Sequence, residues 1–221
     1  MKTFCKPLVF TAFTLLFFSG LKAQTVKDAD GNTYNSVIIG AQAWMSENLR
    51  TTKLNDGTAI PLVTDNTAWS ALNTPAFSWY GNDAEANKEK FGALYNWYTV
   101  STNKLCPKGW HVPADAELTA LTAFLGGESV AGGKLRESGT AHWQSPNAGA
   151  TNSSDFSALP GGYRNNKGTF ANIGFFASWW SSTENAPVAS WAITTGCGNS
   201  NVIRLFSLKK NGYSVRCVKD Y

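Results

Sequence analysis

The chain contains two histidines, His111 and His142, and neither belongs to a His-Glu-x-x-His pair that could hold a catalytic zinc. No Gly-x-Ser-x-Gly elbow presents a nucleophilic serine. His111 stands between Trp110 and Val112-Pro113, so it reads as part of a structural turn. Ser207-Leu-Lys-Lys210 matches a Ser-x-x-Lys pattern, but it lies in a strand-like run rather than opening a helix, and it reads as chance. Cys5 falls in the leader expected over 1–23; Cys106, Cys197 and Cys217 remain, scattered and without zinc spacing, and at most one pair of them can bridge, which leaves one thiol over. Asp28, Asp30 and Asn32 alternate around a turn without the distal Glu of a calcium loop, so turn chemistry explains them better. Glu184-Asn185 before Pro187 has the wrong order for a lectin calcium motif. No cofactor is called for, but the sequence leaves room for calcium, whose oxygen ligands can come from loop carbonyls.

Aromatic side chains are the richer signal. Nine tryptophans supply flat apolar faces of the kind that stack on sugar rings, with Asn, Asp and Arg available for hydroxyls. In a strand, Trp179 and Trp180 point to opposite sides, so one can be core while the other is exposed or covered by a loop. Polar, Gly-rich segments surround this pair. A cleft lined by Trp180, Arg164, Asp155 and Glu184 is therefore expected. Trp44, Trp97, Trp110 and Trp191 read as core, whereas Trp79, Tyr80, Trp143 and Trp180 stay open between core and ligand face.

Several elements must position these groups. Val26–Tyr34 reads as strand, turn and second strand, continuing through Val37-Ile38-Ile39. Asn55-Asp56-Gly57 marks another turn. Helical spacing of Leu94, Trp97 and Tyr98 predicts a helix over 91–100. A second helix follows Pro113, carries Leu118, Leu121 and Leu125, and stops at Gly126-Gly127. Near the end, 202–208 and 213–218 flank Asn211-Gly212 as a predicted hairpin. Two helices early and antiparallel strands late predict an α+β fold.

The start of the chain reads as a secretory signal over 1–23: Lys2 and Lys6, the apolar run from Leu8 to Phe18, then Leu21-Lys22-Ala23 before Gln24. That run is too short to span a bilayer, and no later segment is long and apolar enough to do so. Loss of 1–23 removes three lysines and no acid, so the net charge falls from +4 to +1. No basic stripe offers nucleic acid a footprint. A secreted or cell-surface location is expected.

Seven stretches carry a resemblance: Val26-Lys-Asp-Ala-Asp-Gly-Asn-Thr-Tyr34, Trp44-Met-Ser-Glu-Asn-Leu49, Tyr95-Asn-Trp-Tyr98, Cys106-Pro-Lys-Gly-Trp-His-Val-Pro113, Leu159-Pro-Gly-Gly-Tyr-Arg164, Trp179-Trp-Ser-Ser-Thr-Glu184 and Ser214-Val-Arg-Cys-Val218. In this order they resemble the Fibrobacter succinogenes major paralogous domain over nearly all of 24–221. The departures are Leu118 where many members have Trp, Ala114 where many have a capping Ser or Thr, and Ser78 where Cys is frequent. Asp115 is the alternative cap. Gly109–Glu117 and Gly212–Cys217 are also similar to stretches of sulfatase-modifying-factor domains. That implies a C-type lectin-like fold: two helices, a twisted antiparallel core and long irregular loops. It further implies a bridge from near the first helix to the last strand, hence Cys106–Cys217 with Cys197 free. On the chain-entropy estimate, closing a loop of about 110 residues contributes roughly 4–5 kcal/mol. The expected function is a non-catalytic binding or adhesion module, for a polysaccharide or surface glycan first and another surface protein second. The alternatives are an enzyme related to sulfatase-modifying oxidases, using Cys197 and Cys217 as a reactive pair, and a purely structural surface protein.

Overall fold

A computed structural model describes residues 24–220; the expected leader, 1–23, lies outside the described residues. In chain order, β1 (Thr25–Lys27), β2 (Thr33–Ile39) and β3 (Gln42–Met45) form an antiparallel meander. Then come α1 (Asn66–Ala71), β4 (Phe77–Ser78), α2 (Ala84–Phe91), β5 (Leu94–Tyr95), α3 (Trp97–Val100) and β6 (Trp110–His111). After α4 (Asp115–Phe124) and α5 (Glu128–Leu135), the rest is strand and loop: β7 (Gly161–Arg164), β8 (Phe170–Ile173), β9 (Phe176–Ala186), β10 (Ala189–Gly196), β11 (Val202–Leu208) and β12 (Val218–Lys219). The architecture is mixed, with few short helices and antiparallel sheets. One sheet has the order β1-β2-β3-β12-β6 and another β11-β10-β9. No helix among the described residues is long and apolar enough to cross a membrane.

The expected first turn forms. Asp28 accepts the N–H groups of Asp30 and Asn32, both at 2.9 Å, and closes the β1–β2 hairpin. The second expected helix also forms as α4, burying Leu118, Leu121 and Leu125. The helix predicted over 91–100 does not. Gly92 adopts φ 74°, and a Cβ there would lie 2.7 Å from the Leu49 carbonyl, so the chain leaves α2 where only glycine fits. Two residues then pair as β5, and Asn96 caps the short α3 by accepting from the Thr99 N–H. Leu94, Trp97 and their neighbours, the polar Asn96 and Thr99 among them, are buried almost throughout, so the apparent helical stripe was a sample of a uniformly buried run.

The predicted terminal hairpin also gives way. β11 pairs with β10 from Ala189↔Leu208 to Thr195↔Val202. Residues 213–218 instead bridge Tyr95, Trp179, Trp44 and His111. Lys209, only 6 % exposed, turns inward to the Pro187 carbonyl and Glu184, and Gly212 packs where a Cβ would meet Trp69 at 3.0 Å. Asn211-Gly212 therefore carries a crossing between sheets rather than a two-strand turn.

Two apolar cores lie on opposite faces of the β9–β10–β11 sheet. Trp180 and Ala192 enter one, with Tyr95, Tyr213 and the Cys106–Cys217 pair. Trp179 and Ile193 enter the other, with Trp44, Phe156 and the α4 leucines. The sulfurs of Cys106 and Cys217 are bonded, with Cα atoms 6.0 Å apart, and Cys197 is a free thiol.

Three arginines are fully or almost fully buried: Arg136, Arg164 and Arg216. None has a carboxylate within ion-pairing distance among the described residues; loop carbonyls and amide or hydroxyl oxygens take its place. Arg136 reaches the carbonyls of Ala148, Gly196 and Asn199, and Arg164 those of Val63, Thr64 and Gly168. Arg216 donates to Asn48 Oδ1 at 3.2 and 3.1 Å and to the Phe156 carbonyl. Each guanidinium also lies over an aromatic ring: Trp143, Trp69 and Phe156 respectively. Burial lowers Arg164 to about 10 and Arg216 to about 9. Buried charge is costly unless its donors are met, so these loops are fixed by what the guanidinium groups require.

His111 ties α4 to the end of the chain. Its Nε2 meets Glu117 at 2.9 Å and its Nδ1 meets Asp220 at 2.6 Å. Glu117 also accepts the Ala114 N–H at 2.8 Å, which is half of a capping box; alanine cannot supply the other half. Asp115 is no cap and instead pairs with Arg204 through two bonds of 2.6 Å. The Glu117 contact, opposed by burial and helped by Asp220, raises the His111 pKa. Burial would raise Glu117, but His111 and the Ala114 N–H outweigh it and hold Glu117 low. The histidine contribution is complete below its ordinary value and lost as pH climbs through the raised one. The glutamate contribution is present above its ordinary value and lost as pH falls through the lowered one. The melting-temperature gap between wild type and His111→Gln should therefore be widest between about pH 4.5 and 6.5 and narrow at alkaline pH. A gap that stays flat from pH 5 to pH 9, measured by calorimetry, would show the ion pairs to be idle.

Candidate ligand-binding cleft

β7 and β8 form a hairpin, Tyr163↔Ala171, that leans on the β9–β10–β11 sheet. Between them lies a shallow cleft of about 180 Å3, lined by Tyr163, Asn172, Phe176, Ser178, Thr194 and Tyr213, with Leu205 at its apolar wall. Ser178 and Thr194 are cross-strand partners on one face, their hydroxyls 2.9 Å apart. Tyr163 and Tyr213 meet edge to face at 5.8 Å. Tyr213 is buried, which raises its hydroxyl pKa, and that hydroxyl accepts from Ser207 at 2.9 Å. Neither the Tyr163 hydroxyl nor the Asn172 carboxamide has a hydrogen-bond partner among the described residues. Phe176 is 36 % exposed, and Phe175 beside it 47 %. The lining is aromatic and neutral. It offers ring faces, hydroxyls and an amide, but none of the carboxylate pairs that glycoside hydrolysis uses.

The four residues expected to line a cleft do not gather. Trp180 is 0 % exposed, donates its indole N–H to the Tyr95 carbonyl at 2.8 Å and lies 4.7 Å from the Tyr213 ring. The two tryptophans do face opposite sides, but both sides are interior. Arg164 is sealed among carbonyls as described. Asp155 is exposed in the 152–157 turn with φ 54°, and Glu184 is exposed on β9, bonded to Lys209. Trp79 and Trp143 are core, and Tyr80 is half-buried against Phe170. Trp191, expected in the core, is only partly covered; Arg204 lies over its ring at 3.5 Å. The cleft residues were hard to find because no spacing links Tyr163 to Thr194. Phe175-Phe176, beginning in the turn that joins β8 to β9, was the signal to follow, an apolar pair where a turn should be polar.

Other candidates resolve into structure. Ser207 donates to Tyr213, whereas Lys210 reaches the Ser70 carbonyl, so the Ser-x-x-Lys match is no dyad. Cys217 is bonded to Cys106, so its sulfur is not a free partner for Cys197. Asp28 turns its oxygens to Asn32 and to the Tyr34 hydroxyl at 2.5 Å. Burial would raise Asp30, but the Thr52 N–H and hydroxyl and Lys53 prevail and hold it low.

The family model for the Fibrobacter succinogenes major domain matches residues 37–219. No curated protein and no solved structure matches the chain.

The burial of Trp180 has a measurable consequence. Trp180→Ala should cost about 3–5 kcal/mol of stability, read as a large fall in the urea midpoint, because it empties a core site and removes one of the two hydrogen bonds to the Tyr95 carbonyl, which keeps that of the Tyr213 N–H. An unchanged midpoint would place this ring at the surface after all.

Proposed function

We propose that this chain, which belongs to the Fibrobacter succinogenes major domain family, is a non-catalytic binding module whose aromatic cleft takes a neutral carbohydrate. One observation carries the reading: the half-buried ring of Tyr163 and the exposed ring of Phe176 stand beside the unpartnered Tyr163 hydroxyl and Asn172 carboxamide, with no charged group in the lining. Sugar rings present apolar C–H faces and a rim of hydroxyls, and such a surface complements both. In this reading the module is exported through the 1–23 signal and works outside the cell or on its surface, on a polysaccharide or surface glycan. A C-type lectin-like arrangement fits the early helices, the bridge from Cys106 to the late Cys217 and the irregular second half.

A glycan array, run with and without calcium, is the direct test. Binding of at least one neutral glycan is expected. Phe176→Ala should weaken it about five- to tenfold, the magnitude of one lost aromatic contact, with little change in melting temperature. An array without hits, or a Phe176→Ala variant that binds as well as wild type, would remove the cleft from consideration.

A further inference from the structure

A second cleft, of about 240 Å3, opens between the 46–48 segment, the end of α2 and the 157–159 loop; Glu47, Asn48, Lys90, Glu137, Ser157 and Arg216 line it. That is far more than the roughly 10–15 Å3 one water needs. Its charges are unequally committed. Glu47 is held by the Asn35 backbone N–H at 2.9 Å and the Asn35 side-chain amide at 2.8 Å, and Glu137 by His142 at 2.9 Å. Lys90 is exposed at the rim, and Arg216 is 2 % exposed in the wall. Among the described residues, no carboxylate stands within ion-pairing distance of either.

Arg216 is also short of acceptors. A guanidinium has five N–H hydrogens. Four contacts meet them: Nε and Nη2 to Asn48 Oδ1, Nη1 to the Phe156 carbonyl, and Nη2 to the Ser157 carbonyl at 3.5 Å. The second Nη1 hydrogen is unmatched, and Asn48 Oδ1 already accepts from Trp179 as well. A buried cation with a spare donor, in the wall of an open cleft with a second unpaired cation at its rim, suits an oxyanion.

We propose that this cleft is a binding site for a small monocarboxylate, one carboxylate oxygen taking the spare Arg216 hydrogen and the other facing the Lys90 ammonium. The walls choose the anion. Glu47 and Glu137 stand in the same walls, so a dianionic phosphate would meet more repulsion than a singly charged carboxylate. This site shares no residue with the aromatic cleft, so either can stand without the other.

The test is a titration of the isotope-labelled protein, followed by amide NMR at low ionic strength, with glucuronate, uncharged glucose and dianionic glucose 6-phosphate. Glucuronate should move the resonances of Asn48, Lys90 and Ser157 at millimolar concentration, glucose should leave them unmoved, and glucose 6-phosphate should bind more weakly than glucuronate. Removing Arg216 risks unfolding, so the exposed Lys90 serves as reporter: Lys90→Ala should weaken glucuronate about threefold to tenfold and leave the melting temperature in place. Equal responses to glucose and glucuronate, tighter binding of the phosphate, no shift at these residues, or an unaffected Lys90→Ala variant would each overturn the assignment. Shifts confined to Tyr163, Asn172 and Phe176 would do so too, while supporting the aromatic cleft.

Discussion

A positive charge held inside an apolar body sets the terms for this fold. Arg216 cannot be buried without oxygen around it, and the chain brings that oxygen from distant places. Asn48 supplies a side-chain carbonyl and Phe156 a main-chain one, while Trp179 donates to the same Asn48 oxygen at 2.9 Å. The Asn48 amide in turn donates to the Phe91 carbonyl at 2.9 Å and to the Ser214 hydroxyl. The end of α2, the 46–49 segment, strand β9 and the closing segment are thus fixed by one network. Arg164 does the same for the 63–66 loop, and Arg136 for the loop at Ala148 and the 196–199 turn.

This explains what the family's recognisable stretches are for. Trp44–Leu49 contributes Asn48, Trp179–Glu184 contributes Trp179, and Ser214–Val218 contributes Arg216 and Cys217. Leu159–Arg164 contributes Arg164, and Tyr95–Tyr98 contributes the carbonyl that receives Trp180. These segments interlock inside the protein, so their spelling reports architecture. Phe176, Asn172 and Lys90 are exposed at the two clefts and lie outside these stretches, so the packing leans on them less.

The legible parts of the sequence were those decided locally. The turn at Asp28–Asn32 is closed by its own carboxylate, and α4 is declared by Pro113 before it and Gly126-Gly127 after it. The Cys106–Cys217 pairing came from likeness to a fold rather than from spacing. The illegible parts were decided at a distance. Helical spacing at 91–100 lost to the approach of Leu49 to Gly92, and Asn211-Gly212 lost its hairpin to the inward pull on Lys209. Trp180 showed the same limit: strand geometry fixed its side of the sheet, but only tertiary packing told that the side was covered.

The place of β12 has a temporal meaning. Val218 pairs with Trp44 on one side and His111 on the other, so a strand synthesised late fills the middle of a sheet whose other members come from the first half of the chain. A polypeptide that emerges N-terminus first holds β3 and β6 ready but unjoined until residue 218 is free. Long-range closure of this kind is slow, and unpaired strand edges invite aggregation while it waits. Vectorial synthesis therefore leaves this sheet without its joining strand until residue 218 has emerged.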